Sequence, residues 1–275
     1  MSKTLGVWDH ASPWMRDPEA LAELERLGYE RVWFGASPAA DLSVVEPALA
    51  ASTTLKAATG IVNVWDGEPD PVAWRRVTEA HPGRFLLGVG AGHRQLVGER
   101  YTKPYDRLVS YLDGLDEGGV PESGRVLAAL GPRVMRLAGD RTAGAHPYFT
   151  TPEHTAAARE ILGEGKLLVP EQKVVLSTDP EEARALARDR LAMYLQLTNY
   201  TNNWLRLGFT ETDLADGGSD RLVDALVAWG DADAIRERIA AHWDAGADEV
   251  ALQVLNPDKM DVLRALAPVR SGTSF

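Results

Sequence analysis

The amino-acid sequence predicts an α/β fold, a (β/α)8 TIM barrel that occupies residues 1–275 as one domain. Two observations predict this fold. Short apolar runs alternate with amphipathic helical stretches, which is the pattern of parallel strands joined by crossover helices. Eight such strands can be placed along the chain, and that number favours a closed barrel over an open doubly wound sheet.

The first half of the chain contains five predicted strands, over 5–8, 31–34, 55–64, 85–89 and 126–130. The first helix has the clearest signals, because Asp17 suits an N-cap, Pro18 suits the first helical turn and Gly28 suits the end of a helix. Further helices are predicted over 44–51, 71–80 and 103–115.

The second half completes the barrel. A helix begins at Pro132, and the strand 143–146, the helix 152–162 and the strand 172–176 follow. A helical insertion then separates strands seven and eight: Asp179 caps its first helix, and 199–226 adds helical and loop pieces. Asp231 caps a helix over 234–245, which leads into the eighth strand, 249–254.

Composition excludes several classes of function. The formal net charge of -11 opposes the basic surface that binding of nucleic acid or an anionic membrane requires. The absence of cysteine excludes disulfides, thiolate metal sites and iron–sulfur clusters, and no histidines occur at metal-ligand spacing, so we expect no metal. The sequence contains neither a signal-peptide pattern nor an apolar run of transmembrane length, and we expect a cytoplasmic protein.

Candidate site residues follow the predicted strands, because TIM-barrel active sites form at the carboxyl ends of the strands. Gly90, Ala91 and Gly92 lie in a glycine-rich turn after strand four, where a flat ring or an anionic tail could approach the backbone amides. A tight barrel-rim turn is the alternative interpretation. His93 follows this turn and is the first catalytic candidate, since an imidazole exchanges protons near neutral pH. The alternative for His93 is a hydrogen-bonded rim residue.

A second candidate site lies at the start of the helix that follows strand five. Gly131 and Pro132 open this helix, and its free first-turn amides and dipole, with the positive charge of Arg133, could bind a phosphate or carboxylate. A solvent-facing Arg133 is the alternative. The walls of a substrate pocket are predicted at three other strand ends, by Trp8, His10, Trp65 and His146. The alternative is a plain core position for the two tryptophans and a structural role for the two histidines.

The residues at 5–8, 25–29, 58–65, 81–90, 129–133, 144–149 and 229–231 resemble the luciferase-like monooxygenase superfamily, and within it a group of coenzyme F420-dependent oxidoreductases. The Pro-Gly-Arg-Phe-x-Leu-Gly-x-Gly run at 82–90 is the most specific of these motifs. The resemblance implies that a cofactor ring lies over a bulge at the end of strand three and contacts Gly60, Ile61 and Asn63. Members of the group often carry a non-proline cis peptide in this stretch. It also implies cofactor contacts from the turn at 90–92 and from 131–132, and a homodimer.

The resulting hypothesis is hydride transfer between coenzyme F420 and a small organic substrate, with His93 handling the proton. An FMN-dependent monooxygenase is the first alternative, because the cofactor decides between dehydrogenase and oxygenase chemistry. A barrel that binds the cofactor without turning it over is the second. Two departures from the relatives motivate it: His93 stands where they carry a carboxylic acid, and Phe34-Gly35-Ala36-Ser37 replaces a segment that holds a histidine in some of them.

Overall fold

The computed structural model describes residues 3–10 and 12–268. Its strands, in chain order, are β1 (Thr4–His10), β2 (Arg31–Gly35), β3 (Lys56–Gly60), β4 (Val62–Asn63), β5 (Phe85–Gly90), β6 (Arg125–Leu127), β7 (Gly144–Ala145), β8 (Leu167–Leu168), β9 (Glu171–Leu176), β10 (Val227–Gly230) and β11 (Glu249–Val254). The helices of the first half are α1 (Pro18–Leu27), α2 (Glu46–Ala50), α3 (Pro71–Ala80), α4 (Arg94–Val97), α5 (Pro104–Glu117) and α6 (Pro132–Arg141). Those of the second half are α7 (Pro152–Leu162), α8 (Pro180–Tyr194), α9 (Thr198–Arg206), α10 (Glu211–Leu214), α11 (Asp220–Leu226), α12 (Ala232–Asp244) and α13 (Lys259–Ala265).

The strands form one parallel sheet that curls into the predicted barrel. β11, β1, β2, β3, β5, β6, β7 and β8 pair in that order, and β9 pairs with β11. The segment between β8 and β9 continues both pairings, since Val169 N donates to Ala145 O at 2.9 Å and Ala251 N donates to Pro170 O at 3.0 Å. β8 and β9 therefore act as one seventh strand, and the TIM-barrel fold is confirmed.

The capping signals act as the sequence predicts. The side chains of Asp17, Asp179 and Asp231 each accept a hydrogen bond from a backbone N–H in the first turn of α1, α8 and α12. Gly28 ends α1 in the left-handed conformation, with φ of 92°, which glycine adopts without steric strain. The predicted bounds of α3, α7 and β11 match the observed ones.

The helical insertion between strands seven and eight consists of α8, α9, α10 and α11, as predicted, but it ends in a strand that the sequence pattern did not reveal. β10 has four residues and adds to β9 directly after α11. β8 and α13 were missed as well, because short elements carry too little periodicity to be recognised. The insertion has its own apolar cluster, built around Trp204 and Tyr200, and this cluster includes Phe149 next to the barrel end.

The predicted strand 55–64 is divided in two. β3 pairs with β5 through Ala57 and Ala58, and β4 pairs with the end of β5 through Val62 and Asn63. The peptide bond between Gly60 and Ile61, at the break, is cis. The non-proline cis peptide implied by the resemblance is therefore present at the bulge.

No helix within residues 3–10 and 12–268 is long and apolar enough to cross a membrane.

Candidate active site

Two adjoining cavities, of about 390 Å³ and about 240 Å³, lie at the carboxyl ends of the barrel strands. The larger one is lined by residues at the ends of β1, β3, β4 and β7, together with the loop after β2. Six residues border both cavities: Gly92, His93, Ala128, His146, Tyr148 and Tyr200. The two cavities therefore form one cleft at the position where TIM barrels carry their active sites.

The structure brings most of the sequence-predicted site residues together around this cleft. The larger cavity contacts Trp8, His10, Gly60, Ile61, Asn63, Gly92, His93 and His146. The smaller cavity contacts Ala91 and Arg133 in addition to the shared residues. The predicted residues that border neither cavity are Trp65, Gly90, Gly131 and Pro132.

Gly90 and Trp65 support the wall from behind. A Cβ at Gly90 would lie 2.9 Å from Ile61 Cγ1 and 3.0 Å from Ala128 Cβ, so glycine at this position makes room for the bulge. The Trp65 indole N–H donates to the Ala91 carbonyl at 2.8 Å. In this turn Gly90 therefore packs against the bulge, whereas Gly92 borders the cavities.

His93 stands between the two cavities, and a residue of the helical insertion holds it. Its Nδ1 lies 3.1 Å from Asn199 Oδ1, and its ring centroid lies 5.3 Å from that of Tyr200. Burial lowers the pKa of His93, and the hydrogen bond with Asn199 opposes this effect. The sequence predicted only helical and loop pieces over 199–226, and the structure shows that α9 contributes Asn199 and Tyr200 to the cavity wall.

His146 and Trp8 place unpaired polar atoms at the base of the larger cavity. His146 Nδ1 lies 2.7 Å from the Val169 carbonyl oxygen, so Nδ1 carries the proton and Nε2 keeps a lone pair. Burial lowers the pKa of His146 to about 4, and the imidazole stays neutral. Within the described chain, neither His146 Nε2 nor Trp8 Nε1 has a hydrogen-bond partner.

These two atoms converge because residue 60 is glycine. A Cβ at Gly60 would lie 2.5 Å from Trp8 Nε1 and 3.5 Å from His146 Nε2. A buried polar group without a partner costs about 1–3 kcal/mol, so such a pair suits a ligand that brings both an acceptor and a donor. A flavin or deazaflavin ring, with carbonyl and ring N–H groups, fits this requirement.

A buried ion pair supports the base of the cavity, and the sequence did not reveal it. Lys173 Nζ lies 3.0 Å from Glu171 Oε2, and both side chains are fully buried. The ammonium also lies 3.8 Å from the Tyr148 ring centroid and 3.6 Å from that of Phe149. Burial lowers the pKa of Lys173 to about 8 and raises the pKa of Glu171. Glu171 and Lys173 alternate along β9 like residues of a solvent-facing strand, so only tertiary structure shows that they are interior.

His10, at the end of β1, lies next to the positively charged side chain of Arg190. Arg190 Nη1 lies 3.2 Å from His10 Nε2, and burial followed by the charge of Arg190 lowers the pKa of His10. Asp9, next to His10, is paired with Lys259. In the described ranges Arg190 forms no ion pair, so a cation stands beside this side of the cleft.

The smaller cavity ends at the N-terminus of α6. Gly131 is the N-cap of this helix, and no side chain caps its first amides. The Arg133 guanidinium lies 3.6 Å from the Tyr105 ring centroid, and Arg206 Nη2 lies 4.0 Å from the position that a Cβ would take at Gly131. Free amides and two guanidinium groups suit a phosphate. Arg206, on α9, was missed because it is distant in sequence.

No group of three or more histidine, aspartate or glutamate side chains suited to a metal ion occurs in the part of the chain that the structure describes.

No protein-family model and no curated protein sequence matches this chain. Solved structures do. An F420-dependent secondary alcohol dehydrogenase in complex with an F420-acetone adduct matches with a TM-score of 0.73 and 13% identity, over 97% of this chain and 98% of that one. EDTA monooxygenase from Chelativorans sp. BNC1 matches with a TM-score of 0.71 and 12% identity, over 98% and 93%. Coenzyme F420-dependent tetrahydromethanopterin reductase from Methanopyrus kandleri matches with a TM-score of 0.65 and 14% identity, over 97% and 98%.

These likenesses establish the class of fold. The chain has the TIM-barrel fold of these two F420-dependent enzymes and of EDTA monooxygenase, and the matches extend over nearly the whole chain. The resemblance predicted from the sequence is thereby confirmed for the fold.

Proposed function

We propose that the protein is an oxidoreductase that binds coenzyme F420 and transfers a hydride between this deazaflavin and a small organic substrate. The observation that carries the proposal is the form of the cleft. A larger cavity with aromatic walls and two unpaired ring nitrogens joins a smaller cavity that ends at the α6 N-terminus and Arg133. This arrangement suits a flat heterocycle with an anionic tail.

The chain's own residues would divide the work as follows. Trp8 and His146 would bind polar groups of the ring, while the α6 amides, Arg133 and Arg206 would bind a phosphate of the tail. The cofactor, when bound, supplies the hydride chemistry. His93, between the cavities, would hold or accept the proton that accompanies the hydride.

The homodimer that the resemblance implies stays a prediction, and sedimentation of the purified protein tests it.

An FMN-dependent monooxygenase is the second candidate. The same ring and phosphate subsites suit FMN, and a monooxygenase is among the structural neighbours. The third, a barrel that binds a cofactor without turnover, predicts binding with no reduction of the cofactor by any substrate.

Titration of the purified protein with coenzyme F420 and, separately, with FMN tests the proposal. Quenching of the fluorescence of the eight tryptophans reports binding. We expect saturable, tighter binding of the deazaflavin. A preference for FMN would replace the proposal by the monooxygenase, and binding of neither would reject a flavin-type cofactor.

Arg133→Gln separates binding of the phosphate from binding of the ring. We expect the affinity for FMN to fall about tenfold, because a charge-assisted hydrogen bond contributes about 1.5–3 kcal/mol. The affinity for riboflavin, which lacks the phosphate, should stay unchanged. Arg136→Gln is the matched control, since Arg136 lies on the same helix, is exposed and borders neither cavity. An equal loss for FMN and riboflavin in Arg133→Gln would contradict the tail assignment.

Trp8→Phe tests the unpaired donor at the base of the larger cavity. The change removes a buried N–H that has no partner, and this gain offsets the lost packing, so we expect the unfolding free energy to change by less than about 1 kcal/mol. Cofactor affinity should fall at least about fivefold. Trp229→Phe is the control: its N–H donates to Asp224 at 2.8 Å, so we expect it to lose stability and keep affinity. Unchanged affinity in Trp8→Phe would remove Trp8 from the ring site.

A further inference from the structure

We propose that Asn199 holds His93 in the tautomer with the proton on Nδ1, so that Nε2 accepts a proton from an O–H or N–H group of the substrate. This inference rests on the proposed function and assigns a direction to it, the oxidation of a substrate that carries an exchangeable proton. It also gives the helical insertion a role, since Asn199 belongs to α9, which lies 106 residues along the chain from His93.

The hydrogen bond decides the tautomer. His93 Nδ1 lies 3.1 Å from Asn199 Oδ1, and an amide oxygen only accepts, so Nδ1 must donate. A neutral imidazole has one N–H, and Nε2 therefore keeps its lone pair. His93 borders both cavities, and no protein group within the described residues takes up Nε2.

The surroundings keep the imidazole neutral at pH 7. Neither cavity has an aspartate or glutamate in its described wall. The titratable and charged groups that line the shared cleft besides His93 are His10, His146, Tyr101, Tyr105, Tyr148, Tyr194, Tyr200 and Arg133. Arg190, beside His10, and Arg206, beside Gly131, add positive charge next to it. Burial raises the pKa of Tyr148 and Tyr200, so neither ionises near neutral pH. Arg94, next to His93, points to the Tyr101 ring, with its guanidinium 5.9 Å from the ring centroid.

A neutral imidazole accepts a proton where a carboxylic acid would donate one. In the proposed step the substrate O–H or N–H bond breaks and its proton moves to Nε2. The hydride leaves the adjacent carbon with its electron pair, and a C=O or C=N bond forms. The substrate would thereby be oxidised by two electrons, for which a deazaflavin held in the cleft would supply the two-electron acceptor. Leu96 and Met193, which are 65% and 46% exposed, border the larger cavity, so the substrate should also carry an apolar group.

The tautomer can be measured without any cofactor. In protein labelled with 15N at histidine, long-range 1H–15N correlation spectra at pH 7.5 distinguish an Nδ1–H from an Nε2–H imidazole, and His93→Gln assigns the signal. We expect the Nδ1–H form for His93 in the natural sequence, and loss of this preference in Asn199→Ala. Asn202→Ala is the matched control, because Asn202 lies on the same helix and is exposed. An Nε2–H form in the natural sequence would overturn the inference.

Asn199→Asp provides a second test. A carboxylate beside Nδ1 stabilises the imidazolium, so the pKa of His93 in the same spectra should rise by at least about one unit, while Asn202→Asp leaves it unchanged. With a substrate in hand, the acidic limb of kcat/KM for substrate oxidation should move up by the same amount. An unmoved pKa would overturn the role of Asn199 whatever the cofactor. The expected spectra combined with no F420 or FMN binding would overturn the proposed function and leave the tautomer assignment standing.

Discussion

Replacement of His93 by alanine is expected to lower kcat/KM of the cofactor-loaded protein by about 10²–10⁴-fold, the usual contribution of a positioned acid or base. His93 borders both cavities, and its Nδ1 is hydrogen-bonded to the Asn199 side chain. Its Nε2 has no hydrogen-bond partner among the described backbone and side-chain groups. The measurement is steady-state reduction of the cofactor at pH 7.5. Because burial lowers the pKa of His93, activity in the oxidation direction should fall as the pH drops below the ordinary histidine range and the base becomes protonated.

His81→Ala is the matched control for this prediction. It makes the same chemical change at the C-cap of α3, outside both cavities, and should leave kcat/KM within about twofold. Cofactor affinity, measured by the fluorescence titration, should change little in His93→Ala if the residue acts on the proton. Full activity in His93→Ala would reject the catalytic assignment and leave the binding cleft as the remaining proposal.

Lys173→Met is expected to destabilise the fold by about 3–5 kcal/mol, because it leaves the Glu171 carboxylate buried without its cation. Urea denaturation followed by circular dichroism measures the change. Burial raises the pKa of Glu171, and a raised folded-state pKa contributes stability below the unfolded pKa that is lost as the pH rises through the folded value. The variant should therefore lose further stability as the pH rises above the ordinary carboxyl range.

Removal of both charges tests this explanation. Glu171→Gln combined with Lys173→Met should recover part of the lost stability, because no buried charge remains unpaired. Lys3→Met is the control, since Lys3 and Asp244 form an exposed pair, with side chains 51% and 77% exposed, and such pairs contribute about 0–1 kcal/mol. A double variant less stable than Lys173→Met would show that packing against Tyr148 and Phe149, and not charge, accounts for the loss.

The fold could be predicted because its signals are local. The Asp-Pro-Glu start of α1 and α8, the Gly28 end of α1 and the β-branched or apolar strand runs depend on near neighbours in the chain. These signals also placed His93 and His146 at strand ends, where a parallel barrel brings them together. β10 was not predicted, because its four residues do not alternate between apolar and polar and therefore give no periodic signal.

By itself, then, the sequence determined the barrel and which strand ends carry candidate chemistry, since hydrophobic period and caps act over a few residues. Only the tertiary structure decided which candidates share a cavity. Gly90 and Trp65 lie in a predicted site segment yet pack behind the wall, whereas Asn199, predicted only as part of the helical insertion, holds His93. The pair Glu171 and Lys173 is interior, and the Lys173 ammonium lies 5.4 Å from the ring centroid of Tyr194 on α8. These contacts join residues that are far apart in the chain, and their geometry depends on how the helical insertion packs against the barrel.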